Sequence, residues 1–248
     1  MSLQCTRERG RRLVASILLQ DYFTLQHPSE PGILVKRFGS LFLSHSSVSA
    51  GLHNTLNTQS MHNKRTAGRG PCELVTHAAN TEDGLRMLRH LRHARGGLIA
   101  FCSGEAGSFT RVLAPIFGSP FTYSAPALLP GSAALEATAP GQLRLDELLG
   151  ILPPGGVGPA TGVLGVVGRP IGHSLSPRVQ GMAFKRAGFD AVYLAFEPED
   201  FDVFLDLADD PVFRGFSVTA PFKERALARA EAADGEAREA GAANTLVR

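Results

Sequence analysis

Hydroxyl, amide and ammonium side chains gather in three short stretches of the last third of the sequence. The first, Gly168-Arg169-Pro170-Ile171-Gly172-His173-Ser174-Leu175-Ser176-Pro177, follows an apolar run. A strand ending at Gly168 and a helix opening on Pro177, with Ser176 as its cap, would set two hydroxyls beside free backbone N–H groups. The positive end of a helix with hydroxyls around it suits a carboxylate. Capping alone accounts for Ser176 but leaves Ser174 without a task. The second stretch, Phe216-Ser217-Val218-Thr219-Ala220-Pro221-Phe222-Lys223, places Lys223 in a first helical turn. The macrodipole prefers acids there, and a lysine so placed suits passing a proton to or from a ligand hydroxyl. The third, Ala240-Gly241-Ala242-Ala243-Asn244-Thr245, sets an amide and a hydroxyl at the mouth of a further strand. Together these groups would recognise a small anion that carries hydroxyls.

The elements that must position them alternate between strand and helix. The spacing predicts strands over Val163–Val167, Ala191–Phe196, Gly215–Thr219 and Ala243–Val247. Between them it predicts helices from Pro177, over Asp200–Leu207 and over Lys223–Ala232. Such alternation makes a parallel sheet, whose ligands sit at the carboxyl ends of strands, where the first two stretches lie. The chain stops inside the last of these strands, which is expected to mark a truncation. Pro153-Pro154-Gly155-Gly156-Val157-Gly158-Pro159 can continue neither a helix nor a central strand and reads as a linker, 153–162.

Upstream, residues 71–152 have the same texture. Strands are expected over Glu73–Ala78, Leu98–Cys102 and Pro120–Tyr123. Helices are expected over Thr81–Arg95, capped by Thr81 and stopped by Gly96-Gly97, and over Phe109–Leu113 and Leu145–Leu152. His90 and His93 share a face with Arg86, Arg89, Arg92 and Arg95, which reads as a solvated basic face rather than a metal site. Residues 1–70 are polar and rich in breakers, with strand-like runs only at Ile33–Val35 and Leu41–Leu43, and read as a poorly ordered leader.

With 44% hydrophobic and 19% charged residues, the 248-residue chain has a globular rather than a disordered composition. A net charge of +2 gives no argument for a nucleic-acid partner, and the arginines at 7, 9, 11 and 12 lack the interleaved aromatics of an RNA-binding arm. Cys5, Cys72 and Cys102 lie too far apart for a disulfide framework or a zinc knuckle, which fits a reducing compartment. The apolar run Leu13–Leu19 is too short to span a bilayer and has no small-residue cleavage pattern after it. The expectation is a cytoplasmic protein without a membrane or nucleic-acid partner.

The order Gly-x-Pro-Ile-x-His-Ser-x-Ser-Pro, Ser-Val-Thr-x-Pro-x-Lys, Gly-Ala-x-Asn-Thr resembles shikimate dehydrogenase. The resemblance implies that Ser174 and Ser176 hold the substrate carboxylate and that Thr219 and Asn244 bind ring hydroxyls. It also implies that Lys223 acts at the hydroxyl being oxidised. The family usually has Asn where Ser217 stands, and His-Asn where Gln180-Gly181 stands; the second departure is expected to affect helix packing more than chemistry. The family's catalytic aspartate and the glycine-rich turn for NADP would fall beyond Arg248, and no strand–Gly-x-Gly-x-x-Gly–helix unit replaces that turn.

Gly104–Arg111, Phe117–Tyr123 and Thr138-Ala139-Pro140-Gly141-Gln142 resemble the closing portion of type I 3-dehydroquinate dehydratase, a (β/α)8 barrel. The resemblance implies that Arg111 pairs with the substrate carboxylate, for which a guanidinium fork is suited. Thr138 and Gln142 would bind from the last loop. That family forms an imine on a lysine, with a histidine as acid–base; Thr76 stands at the lysine position, and His45 is a loose counterpart of the histidine.

The resulting expectation is an α/β protein: a partial (β/α)8 barrel end followed by the substrate-binding domain of shikimate dehydrogenase, 163–248, with no Rossmann domain. It would be a piece of a bifunctional enzyme taking 3-dehydroquinate to 3-dehydroshikimate and, with NADP, to shikimate. The rival reading is a non-catalytic module that holds shikimate-like acids.

Overall fold

A computed structural model describes residues 14–16, 72–94, 97–127 and 139–248. The expected strands at 33–35 and 41–43, together with Cys5, His45, Arg95 and Thr138, lie outside the described residues.

A six-stranded sheet carries the three chemically suggestive stretches. Its strands are β1 (Val14–Ser16), β4 (Gly162–Val167), β5 (Ala191–Phe196), β6 (Phe213–Val218), β7 (Ala232–Ala233) and β8 (Thr245–Val247). They lie in the order β5-β4-β6-β8-β1-β7. β4 is parallel to both β5 and β6, as buried apolar runs joined by helices must be. β8 runs antiparallel to β6, pairing Phe216 with Leu246 and Ser217 with Thr245. The start of β8 therefore lies at the same edge as the end of β6. β1, inside the apolar run Leu13–Leu19, pairs antiparallel with β8 and parallel with β7.

A second, two-stranded parallel sheet joins β2 (Glu73–His77) to β3 (Ile99–Ser103). The helix between them, α1 (Thr81–His93), is amphipathic, with Leu85, Met87, Leu88 and Leu91 buried. Asn80, not Thr81, is its N-cap: the Asn80 side chain accepts from Asp83 N at 3.0 Å. The Thr81 hydroxyl is engaged elsewhere, donating to Glu197 O at 3.0 Å. α2 (Phe109–Leu113) and α3 (Leu145–Ile151) follow as expected. Pro120–Tyr123 is not a strand; Tyr123 instead packs edge-on against both Phe101 and Phe121.

Of the remaining helices, α4 (Ser176–Ala187) has Pro177 in its first turn and ends on Gly188, whose φ of 65° suits glycine. Ser176 is its first residue rather than its cap, a place taken by Leu175. α5 (Phe201–Leu207) is capped by Asp200, which accepts from Asp202 N and Val203 N. α6 (Lys223–Arg229) is shorter than expected, and α7 (Gly235–Ala240) and β7 are additional elements.

One hydrophobic core runs through both stretches, from Leu85, Leu88, Val112 and Leu113 to Val163, Val192, Phe204 and Leu246. Phe109 meets Phe196 edge-on at 5.4 Å, and Phe117 meets Phe213 at 6.1 Å. On α1, Arg86, Arg89 and His93 are exposed as expected, but Arg92 is not simply solvated. Arg92 makes a two-pronged pair with Asp210, donates to Ile116 O and stacks on Phe117, while Arg89 donates to Asp206 O.

Candidate functional site

The three stretches meet through their backbones. Thr219 N donates to Val167 O at 2.9 Å and Arg169 N to Ala220 O at 3.0 Å, so the loops after β4 and β6 are laced together. Val218 N donates to Asn244 O at 2.7 Å and Ala243 N to Lys223 O at 2.9 Å, which brings the third stretch to the same edge. Gly168 permits the first of these approaches: a Cβ there would collide with Thr219 Cγ2. Both loops contain a cis X–Pro bond, Arg169–Pro170 and Ala220–Pro221.

Around this edge the side chains are open enough to meet a ligand. Ser174, Ser176, Thr219 and Asn244 are half-buried, and Lys223 is exposed. Ser174 Oγ accepts from Ser176 N at 3.3 Å, so one hydroxyl caps the turn that displays the other. Asn244 Oδ1 accepts from Thr245 Oγ1 at 3.0 Å, which leaves the amide N–H groups as its donors. Ser217, where Asn is usual, takes a hydrogen bond from Tyr193 OH at 2.9 Å. Burial raises the Tyr193 phenol above its ordinary range, and the Ser217 contact works against that. Gly181 is buried on α4, yet a Cβ there would meet nothing within 4 Å.

Sequence reasoning did not single out Glu197, whose Oε2 accepts from Ile171 N at 2.9 Å. A lone carboxylate between a strand and a proline gives no signal of such a long-range bond.

The dehydratase-like stretch places Arg111 2% exposed on α2, with its guanidinium 4.2 Å from the Phe101 ring centre. Its Nε has no hydrogen-bond partner, and burial pushes its pKa below the usual guanidinium range. Thr76 pairs in register with Cys102 and lies 3.4 Å from its sulfur; burial raises that thiol. Gln142 lines an open cleft of ≈ 540 Å³ with Glu105, Ser108 and Glu147, and Arg111 is not among its lining residues. Among the described residues no His/Cys/Asp/Glu cluster could hold a metal ion.

Comparison with known proteins matches residues 166–246 to the shikimate dehydrogenase substrate binding domain. Residues 46–154 match type I 3-dehydroquinase, a span that reaches back into the stretch expected to be a leader. The chain is 32% identical over 203 residues to the chloroplastic bifunctional 3-dehydroquinate dehydratase/shikimate dehydrogenase of Arabidopsis thaliana, covering 79% of this chain and 33% of that protein. It is 49% identical over 85 residues to the shikimate dehydrogenase (NADP(+)) of Caulobacter vibrioides, covering 34% of this chain and 30% of that protein. A solved structure of dehydroquinate dehydratase and shikimate dehydrogenase from S. pombe shares 30% identity over 71% of this chain and 32% of that one, with a TM-score of 0.34. The chain spans about a third of the length of these relatives. Two consecutive matches in one chain make it similar, along both stretches, to the bifunctional 3-dehydroquinate dehydratase/shikimate dehydrogenases.

Proposed function

We propose that the chain binds shikimate and 3-dehydroshikimate at the shared edge of β4, β6 and β8, as the substrate-holding part of an NADP-dependent shikimate dehydrogenase. Ser174 and Ser176 hold the carboxylate, Thr219 and Asn244 take ring hydroxyls, and Lys223 holds or accepts the proton of the hydroxyl being oxidised. The lacing of the three loops by Thr219 N, Arg169 N and Ala243 N is the observation that carries this reading, because it brings to one edge the separate segments that bear those donors.

NADP appears in the name of the Caulobacter vibrioides relative. The turns after β4, β5 and β6 do not fit its pyrophosphate. Pro170, Pro177 and Pro221 remove N–H donors from two of the turns, and the third carries Glu197, Glu199 and Asp200. No residue of these three turns is therefore assigned to the dinucleotide.

Arg111 and Gln142 belong to a 3-dehydroquinate-type site, to which Thr138 is also assigned. Thr76 has no amine, so an imine cannot form there and the dehydration step is expected to be absent. That residue favours a second reading, a shikimate-binding remnant without turnover. Among the described residues no helix is long and apolar enough to cross a membrane.

Calorimetric titration of the chain with shikimate tests the main reading. Binding that weakens at least about tenfold in Thr219→Val and in Lys223→Met supports it; equal binding by all three proteins refutes it. An NADP-coupled assay on the same sample separates enzyme from remnant, since turnover rejects the latter. Borohydride treatment with 3-dehydroquinate is expected to leave no covalent adduct.

A further inference from the structure

The loop that presents Ser174 and Ser176 is held by Glu197, which is itself held from outside the dehydrogenase-like stretch. Ile171 N donates to Glu197 Oε2 at 2.9 Å, and Ile171 O accepts from Ser174 N at 2.9 Å. Ser174 Oγ in turn accepts from Ser176 N. A short chain of hydrogen bonds thus leads from Glu197 to both serines.

Glu197 is itself fixed by the first turn of α1. Thr81, 4% exposed, donates its hydroxyl to Glu197 O at 3.0 Å. Glu82, 3% exposed, accepts from Asp200 N at 2.7 Å, and Asn80 Nδ2 donates to Glu199 Oε2 at 3.2 Å. Three successive residues of the dehydratase-like stretch therefore grip the β5–α5 turn. Glu82 is telling, because a buried carboxylate with a single acceptor bond is costly unless the bond has a fixed partner.

We infer that the α1 turn Asn80–Glu82 sets the substrate loop Gly168–Ser176 through Glu197, which acts as a positioning residue for the carboxylate-binding serines. The inference rests on the proposed shikimate site for its consequence, but its mechanism is a physical contact that can be read without ligand. Rearrangement on the dehydratase-like side would reach the dehydrogenase-like pocket by this route, and nothing in it requires either side to be catalytic.

Residue-resolved amide exchange on the 248-residue chain tests it. Glu197→Ala is expected to speed exchange at Ile171 about tenfold, whereas Glu197→Gln, which keeps an acceptor oxygen, stays near wild type. Thr81→Val, which removes the hydrogen bond to the Glu197 carbonyl, is expected to speed Ile171 exchange as well, and Thr81→Ser to restore it. In both damaging variants shikimate affinity should fall several-fold, with the conservative partner rescuing it. Unchanged exchange at Ile171 in Glu197→Ala, or a Thr81→Val effect confined to residues 197–200, overturns the inference. A wild-type chain that does not bind shikimate would remove the proposed function, while the exchange pattern would still decide whether the clamp exists.

Discussion

Asp210 accepts two hydrogen bonds from Arg92, at 2.9 Å from Nε and 3.0 Å from a terminal nitrogen, across the proline–glycine connection that separates the two family matches. The pair is sheltered, with side-chain exposures of 27% and 16%, and Arg92 also stacks on Phe117. A planar two-pronged pair in such a setting is stronger than an exposed one. Arg92→Ala and Asp210→Ala are each expected to lower the unfolding free energy by about 2 kcal/mol, with a double-mutant coupling of about 1 kcal/mol or more. Urea unfolding of the four proteins measures this. Because one core spans both stretches, the wild type should unfold in a single transition.

Arg111 makes the opposite case. The residue is 2% exposed, its Nε lacks a partner, and its guanidinium lies over the Phe101 ring. An unpaired buried charge costs more than it returns in stability. Arg111→Met, which keeps much of the volume, is therefore expected to leave the melting temperature unchanged or higher. It should also abolish any binding of 3-dehydroquinate by calorimetry. A large drop in melting temperature would instead mark Arg111 as structural.

Those contacts show which parts of the molecule could be read from sequence. Runs with a strong local signal were legible. The apolar stretch Ala191–Phe196 is a strand with the expected bounds, and Pro177 and Gly188 punctuate α4. The three site stretches also fell at one edge, because strand ends and helix starts are marked by local residues. What failed depended on partners far away in sequence. Thr81 looked like a cap, but its hydroxyl goes to a carbonyl 116 residues away and Asn80 caps instead. Arg92 looked solvated because Asp210 is 118 residues distant. Phe121 and Tyr123 had strand-like composition but use their rings against each other and Phe101 rather than a ladder. α7 was missed because it opens on Gly235 and buries only Ala237, too little for a visible stripe.

Gly168 offers a test of the laced loops. A Cβ there would strike the Thr219 methyl, so Gly168→Ala must push Thr219 away from the end of β4. Overpacking of this kind costs about 1–3 kcal/mol. The substitution is expected to lower stability and to weaken shikimate binding more than it lowers stability. Removing the obstructing methyl with Thr219→Ser in the same chain should recover most of both losses. Recovery of neither would mean that the strain lies against Ala220 or Ile171, the next nearest groups.

The stitch between α5 and α6 gives a pH dependence of known sign. Arg225 hydrogen-bonds to Asp202, and Arg229 reaches Asp202 at 3.5 Å and also Asp206. The Arg225 hydrogen bond, more than the charges around it, holds the Asp202 carboxyl below its ordinary range. With the folded value depressed, the unfolded chain takes up the proton first as the solution is acidified. The stability this carboxylate lends is therefore complete above the unfolded value of about 4 and is lost as pH falls through the lower folded value. Exposed pairs are worth little, so Asp202→Asn is expected to cost less than about 1 kcal/mol at neutral pH, and less still in high salt. Calorimetric melting of both proteins from neutral pH downward should show the gap between them closing below about pH 4. A gap that stays constant across that range would assign the effect of the substitution to packing rather than to charge.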